Sequence, residues 1–137
     1  MGIMARVTFI LGLCGSGKST LAMDFQTGGA LVFDESFIGE PSKHDQLVST
    51  LRRGKDCVVV EIAYCEEVNR KKVVTEVSAN APGAEIKWIC FQNDLDRANA
   101  RCRQRPDRDP EGHVRINNYY SPRYTYPENA EVREIRG

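Results

Sequence analysis

Gly12-Leu13-Cys14-Gly15-Ser16-Gly17-Lys18-Ser19 is the stretch that decides the fold of this 137-residue chain. It fits the spacing G-x-x-x-x-G-K-[ST], in which a glycine-rich loop turns successive backbone N–H groups toward one centre. Its flanks have the matching form. Val7-Thr8-Phe9-Ile10-Leu11 is an apolar, β-branched run that predicts a buried strand, and Thr20-Leu21-Ala22-Met23-Asp24-Phe25 predicts the first turns of a helix. Strand, loop and helix N-terminus make an anion cradle suited to the phosphates of a nucleoside triphosphate such as ATP. Gly12, Leu13, Cys14, Gly15, Ser16, Gly17, Lys18, Ser19 and Thr20 are therefore expected to bind nucleotide. Lys18 would reach the β- and γ-phosphates, and the Ser19 hydroxyl would ligate Mg2+.

Outward from this loop, strand and helix patterns alternate. Ala30 to Phe33 reads as a second strand ending at Asp34, and Ser42 to Arg53 as a helix closed by Gly54. Cys57 to Ile62 is a continuous apolar run of the buried-parallel kind, followed by a helix over Glu66 to Ala79 with Val73, Val74 and Val77 inward and Arg70-Lys71-Lys72 outward. Ile86 to Phe91 is the fourth strand, Leu95 to Gln104 an arginine-rich helix stopped before Pro106, and Ala130 to Ile135 a fifth strand. The pattern predicts a three-layer α/β/α sandwich around a five-stranded, mainly parallel sheet, in one domain spanning 1–137.

Composition sets the background. Lysine plus arginine equal aspartate plus glutamate at 19 each, so no global basic field steers the chain to nucleic acid. No apolar run is long enough to span a bilayer, and no charged-then-apolar leader opens the chain, so no membrane partner is expected. Five cysteines, an odd number with no C-x-x-C, suit a reducing, cytoplasmic setting. No metal-ligand cluster is visible, and His44 and His113 have no obvious partners in the sequence.

Open parallel sheets bind ligands beyond the carboxyl ends of their strands. Asp34-Glu35 follows the second strand and Glu61 ends the third. A carboxylate facing the γ-phosphate could orient or deprotonate an attacking hydroxyl, and Glu61 could hold magnesium through water; loop and strand-end solvation is the plain alternative for both. Arg97, Arg101 and Arg105 recur every four residues and so share one helix face, with Arg103 and Arg108 nearby. Such arginines can clamp the charge of a transferring phosphoryl group, or form a solvated face with Asp94 and Asp96 as counter-ions.

The set GLCGSGKST, LVFDESF, CVVVEI and ICFQNDLDRANARCRQR resembles the small P-loop kinases of the polynucleotide 5′-hydroxyl kinase and zeta-toxin type, over Arg6 to Arg105. The run Tyr124-Thr125-Tyr126-Pro127-Glu128-Asn129-Ala130 is similar to the approach to their last strand. The resemblance implies that Lys18 and Ser19 contact phosphate and magnesium, that Asp34 is the general base, and that Arg101 and Arg105 are a lid pair on a short helix near 95–105. Two departures stand out. Glu61 occupies a position where many relatives carry Asp, and Glu35-Ser36-Phe37-Ile38 lacks the Arg that polynucleotide kinases use to hold the acceptor phosphate.

The expected activity is ATP- and Mg-dependent phosphoryl transfer to a hydroxyl. A polynucleotide 5′-hydroxyl ranks first among acceptors, with a nucleotide or small metabolite next. A nucleotide-hydrolysing regulatory module is the reading of another class. Two look-alikes are set aside. Asn93-Asp94-Leu95-Asp96 lacks the lysine of a guanine-reading motif, and Asp109-Pro110-Glu111-Gly112 spells D-x-x-G without a strand leading into it.

Overall fold

The computed structural model describes residues 5–34, 37–105 and 108–136. Its elements run β1 (Arg6–Leu11), α1 (Lys18–Thr27), β2 (Leu31–Asp34), α2 (Pro41–Arg52), β3 (Cys57–Val60), α3 (Glu67–Asn80), β4 (Glu85–Phe91), α4 (Leu95–Arg103), α5 (Pro110–Tyr120) and β5 (Glu131–Arg133), with 3-10 turns over Ile62–Cys65 and Ser121–Arg123.

The five strands form one sheet in the order β2-β3-β1-β4-β5, and every pairing is parallel. Side-chain alternation explains the layers. Val7, Phe9, Leu11, Cys57 and Val59 point to one face, where Leu47 and Leu51 of α2 and Val73 and Val77 of α3 cover them. Ile10, Val58, Val60 and Ile89 point to the other, under Leu21 and Ala22 of α1 and Ala98 of α4. Phe9 stacks on Trp88 at 4.7 Å and meets the Tyr64 edge at 5.3 Å, giving the first face an aromatic centre. Among the described residues, no helix is long and apolar enough to cross a membrane.

Register places the site. Ile10 pairs with Val60 and Ile89, and Val60 pairs with Asp34, so β1, β2 and β3 finish level. β1 lies between β3 and β4 and is the point where the chain's crossovers change direction, which in such sheets opens a crevice at the carboxyl ends.

Four expectations need correction. Glu61 and Ile62 lie past the end of β3, because the chain turns into a 3-10 turn at once. Arg70 does not face outward: its guanidinium is buried and donates to the carbonyls of Tyr64 (2.7 Å), Cys65 (3.1 Å) and Thr125 (3.0 Å) and to Thr125 Oγ1 (2.8 Å). Burial lowers its pKa, with Glu67 the largest opposing influence. Arg105 lies beyond the end of α4, so it does not continue the helical face that Arg97 and Arg101 share. The sequence reading also missed α5. Its start is the D-x-x-G look-alike: Asp109 caps the helix by accepting from the Gly112 N–H at 3.0 Å, and Pro110 stands in the first turn.

Candidate functional site

The phosphate loop is built from the inside out. Leu13 is buried, and its carbonyl accepts from Lys18 Nζ at 2.9 Å and from the Ser16 N–H at 3.1 Å, which folds the loop back on itself. A methyl group at Gly12 would sit 2.8 Å from Ser16 Oγ, so Gly12 and Leu13 form the frame rather than the lining. Gly17 caps α1 with φ 107°, a left-handed conformation that glycine adopts without a Cβ penalty. No side chain caps α1 and no acidic residue stands in its first turn, so the helix end keeps its partial positive charge for a ligand.

The α4–α5 pair fixes the loop from outside. Asn117 of α5 is fully buried; its Oδ1 accepts from the Cys14 N–H at 2.7 Å, and its Nδ2 donates to the Cys14 carbonyl at 3.0 Å and to Asn99 Oδ1 at 3.0 Å. Cys102 Sγ also donates to the Cys14 carbonyl, at 3.2 Å. Gly15 (φ 84°) packs so tightly against α4 that a Cβ would lie 2.6 Å from the Ala98 carbonyl oxygen. Asn117 was missed in the sequence; its spacing from buried Val114 on a proline-started helix was the available signal.

Two cavities flank the loop and meet at Gly17 and Thr20. One, of about 370 Å³, is lined by Lys18, Ser19, Arg105, Arg108 and His113 beside the loop glycines. The other, of about 490 Å³, is lined by Leu21, Asp24, Phe91, Arg101, Glu134 and Arg136. Arg101 and Arg105 are thus on different sides of the loop. Arg97 and Arg101 donate to the carbonyls of Ile135 (2.9 Å) and Arg136 (3.0 Å), tying α4 to the segment after β5. The Ser16 hydroxyl, which borders the second cavity, is buried with no hydrogen-bond partner among the described residues.

At the end of β2, Ser19 Oγ stands 3.4 Å from each oxygen of the Asp34 carboxylate. Both are exposed at the carboxyl ends of the strands. Mg2+ takes oxygen donors, keeps several waters and uses one or two protein ligands beside phosphate oxygens, so a hydroxyl next to a carboxylate suits it. Glu61 goes elsewhere: it is buried, and its Oε1 accepts from the Ile38 N–H at 3.1 Å. Glu35 lies outside the described residues. His44 does have partners, Glu76 Oε1 at 2.7 Å and the Phe37 carbonyl at 3.1 Å. No disulfide joins the described cysteines, and burial pushes Cys57 up to about 11 and Cys65 up to about 12, leaving both as protonated core fillers.

Solved structures share this fold. A gluconokinase from Sinorhizobium meliloti 1021 superposes with TM-score 0.64 at 13% identity, over 100% of this chain and 86% of that one. The APS kinase of Mycobacterium tuberculosis, solved with AMPPNP and APS, gives 0.59 at 17% identity over 95% and 87%. A chain of the Pnkp1/Rnl/Hen1 RNA repair complex gives 0.59 at 16% over 92% of this chain and 48% of its own. No protein-family model matches the sequence, and no curated protein matches it. The chain shares the α/β fold of these structures, with its glycine-rich loop between β1 and α1.

Proposed function

We propose that the protein is a magnesium-dependent kinase that moves the γ-phosphoryl group of ATP to a hydroxyl. The observation that carries this reading is the meeting of Ser19 with Asp34 at 3.4 Å, beside Lys18 and the uncapped end of α1. A carboxylate beside the loop serine suits magnesium, and its exposure at the carboxyl ends of the strands leaves it able to meet an acceptor hydroxyl as well.

The nucleoside occupies the cavity bordered by Phe91, Arg101 and Arg136, where an apolar wall and a planar guanidinium suit a flat base and Asp24 and Glu134 can accept from an exocyclic amine. The phosphates cross the loop to Lys18. Magnesium, when bound, would supply positive charge to offset that developing on the transferring phosphoryl group. Ser19 and Asp34 are the residues that would hold it, directly or through water; Glu61 secures the Ile38 amide instead. Asp34 also aims the acceptor oxygen and takes its proton as the O–P bond forms, while ADP departs. Arg105 and Arg108, facing the same cavity as Lys18, stabilise the equatorial oxygens.

For the acceptor, we place a polynucleotide 5′-hydroxyl first, on the resemblance of LVFDESF and ICFQNDLDRANARCRQR, and a small-molecule hydroxyl second. Arg70 is committed inside the fold, which removes it from any backbone-binding surface, whereas Arg52, whose Nε donates to the Asn80 carbonyl at 2.6 Å, stays exposed. The test is incubation with γ-labelled ATP, magnesium and a panel holding a 5′-hydroxyl oligonucleotide, nucleosides, nucleoside monophosphates and sugars. Label moving to a panel member supports the kinase and names its acceptor class. Phosphate released only to water, and only with a partner protein, overturns it in favour of a regulatory hydrolase.

A further inference from the structure

His44 of α2 has both ring nitrogens against oxygen acceptors: Nδ1 is 2.7 Å from Glu76 Oε1 of α3, and Nε2 is 3.1 Å from the Phe37 carbonyl oxygen. Neither an ionised carboxylate nor a peptide carbonyl has a proton to give. A neutral imidazole carries one N–H and one lone pair, so it satisfies one oxygen and turns its lone pair on the other. The doubly protonated ring donates to both. The Phe37 ring stacks on the imidazole at 4.2 Å and 23°, a placement that favours a cation over an aromatic face.

The same peptide unit is held at its other end. While His44 takes the Phe37 carbonyl, the Ile38 N–H of that unit donates to Glu61 Oε1 at 3.1 Å. Two side chains from different elements therefore clamp both polar ends of the 37–38 peptide, three residues after Asp34. The other titratable groups packed around this clamp are Glu76 of α3, Glu61 after β3 and the Tyr64 phenol of the 3-10 turn. Burial, with Glu61 and Glu76, pushes Tyr64 well above the ordinary tyrosine range and so keeps it neutral.

We infer that His44 is a positioning residue for the acceptor side of the site: doubly protonated, it clamps the 37–38 peptide, and on losing a proton it releases the Phe37 carbonyl and loosens that peptide, three residues past Asp34. This rests on the reading of Asp34 as the carboxylate that meets the acceptor. It predicts that acceptor binding depends on pH through His44, while ATP binding does not.

The decisive variant is Glu76→Gln. A glutamine amide can donate to Nδ1, so the neutral ring keeps its Nε2–H on the Phe37 carbonyl and the clamp no longer needs the extra proton. The experiment follows the His44 ring nitrogens and the Ile38 backbone amide by NMR across about pH 5 to 8, with acceptor KM and ATP KM measured in parallel. In the native protein, ring deprotonation and the Ile38 amide should share one midpoint, with Ile38 exchange rising at least roughly tenfold for the lost charge-assisted bond. In Glu76→Gln the step at that midpoint should vanish from both the amide and the acceptor KM, with ATP KM flat in both proteins. An Ile38 amide indifferent to the His44 titration, or a native-like step surviving in Glu76→Gln, overturns the inference. The NMR arms need no turnover, so absence of transfer to every acceptor would count against the kinase reading and leave this linkage to be judged on its own.

Discussion

Asn117 grips Cys14 by both backbone polar groups, accepting from its N–H at 2.7 Å and donating to its carbonyl at 3.0 Å. That pairing fixes the amide's orientation, since the N–H needs the oxygen and the carbonyl needs the nitrogen. It also ties the phosphate loop to α4 and α5, the helices on either side of Arg105 and Arg108.

Replacing Asn117 should therefore damage more than packing. Asn117→Ala removes its two bonds to the half-buried Cys14 backbone and the one to Asn99, at a cost of about 0.5–1.5 kcal/mol for each bond lost. Asn117→Asp should be worse, because its second oxygen opposes the Cys14 carbonyl and Asn99 Oδ1. Denaturant unfolding gives the stability loss, and titration with ATP should show weakened binding in both variants. Native ATP affinity in Asn117→Asp would separate the loop from this contact.

Arg101 and Arg105, read in the sequence as a pair, should behave differently. Arg105 faces Lys18, so Arg105→Ala should lower kcat much more than it raises the KM for ATP, and Lys should rescue it poorly because the planar fork is lost. Arg101 lines the other cavity, so Arg101→Ala should chiefly raise the KM for ATP. Steady-state kinetics on both variants distinguishes this division from a shared lid.

Lys18 is the cation buried in the loop, with its Nζ on the Leu13 carbonyl. ATP with magnesium should raise the Tm of the native protein by mass action, by an amount equivalent to about 2.7 kcal/mol at a hundredfold excess over Kd. Lys18→Ala should abolish that rise. An equal rise in both proteins would place the nucleotide elsewhere.

Stability should fall in alkali. Cys57 and Cys65 have their thiols raised from 9.0 to about 11 and about 12, so the folded chain holds protons that the unfolded chain has lost. Their contribution is complete below pH 9 and disappears as pH rises through the folded values. Denaturant midpoints should drop across that window, and Cys65→Ala should flatten the slope while lowering stability throughout.

Much of this was legible because parallel strands buried on both faces write themselves as apolar runs. β1 adds only Arg6 to the apolar run Val7–Leu11, and Asp34 ends β2 as expected. The α5 helix was not, because its polar first turn, Asp109-Pro110-Glu111-Gly112, reads as a motif fragment until the cap is seen. Arg70 looked like one of three outward cations; only the return of Thr125 past the 3-10 turn gives its guanidinium a buried set of acceptors. Arg105 departed from its helical spacing because α4 ends at Arg103. For Arg70 a deciding partner lies far along the chain, where local spacing carries no information.

The central claim is that loop-bound ATP gives its γ-phosphoryl group to a hydroxyl aimed by Asp34. Measuring ATP binding and label transfer side by side in Asp34→Asn tests it most directly. The account predicts an intact fold, near-native ATP binding, and transfer reduced by about 10²–10⁴ on whichever acceptor the native protein uses. Native transfer rates in Asp34→Asn on every accepted substrate would contradict it.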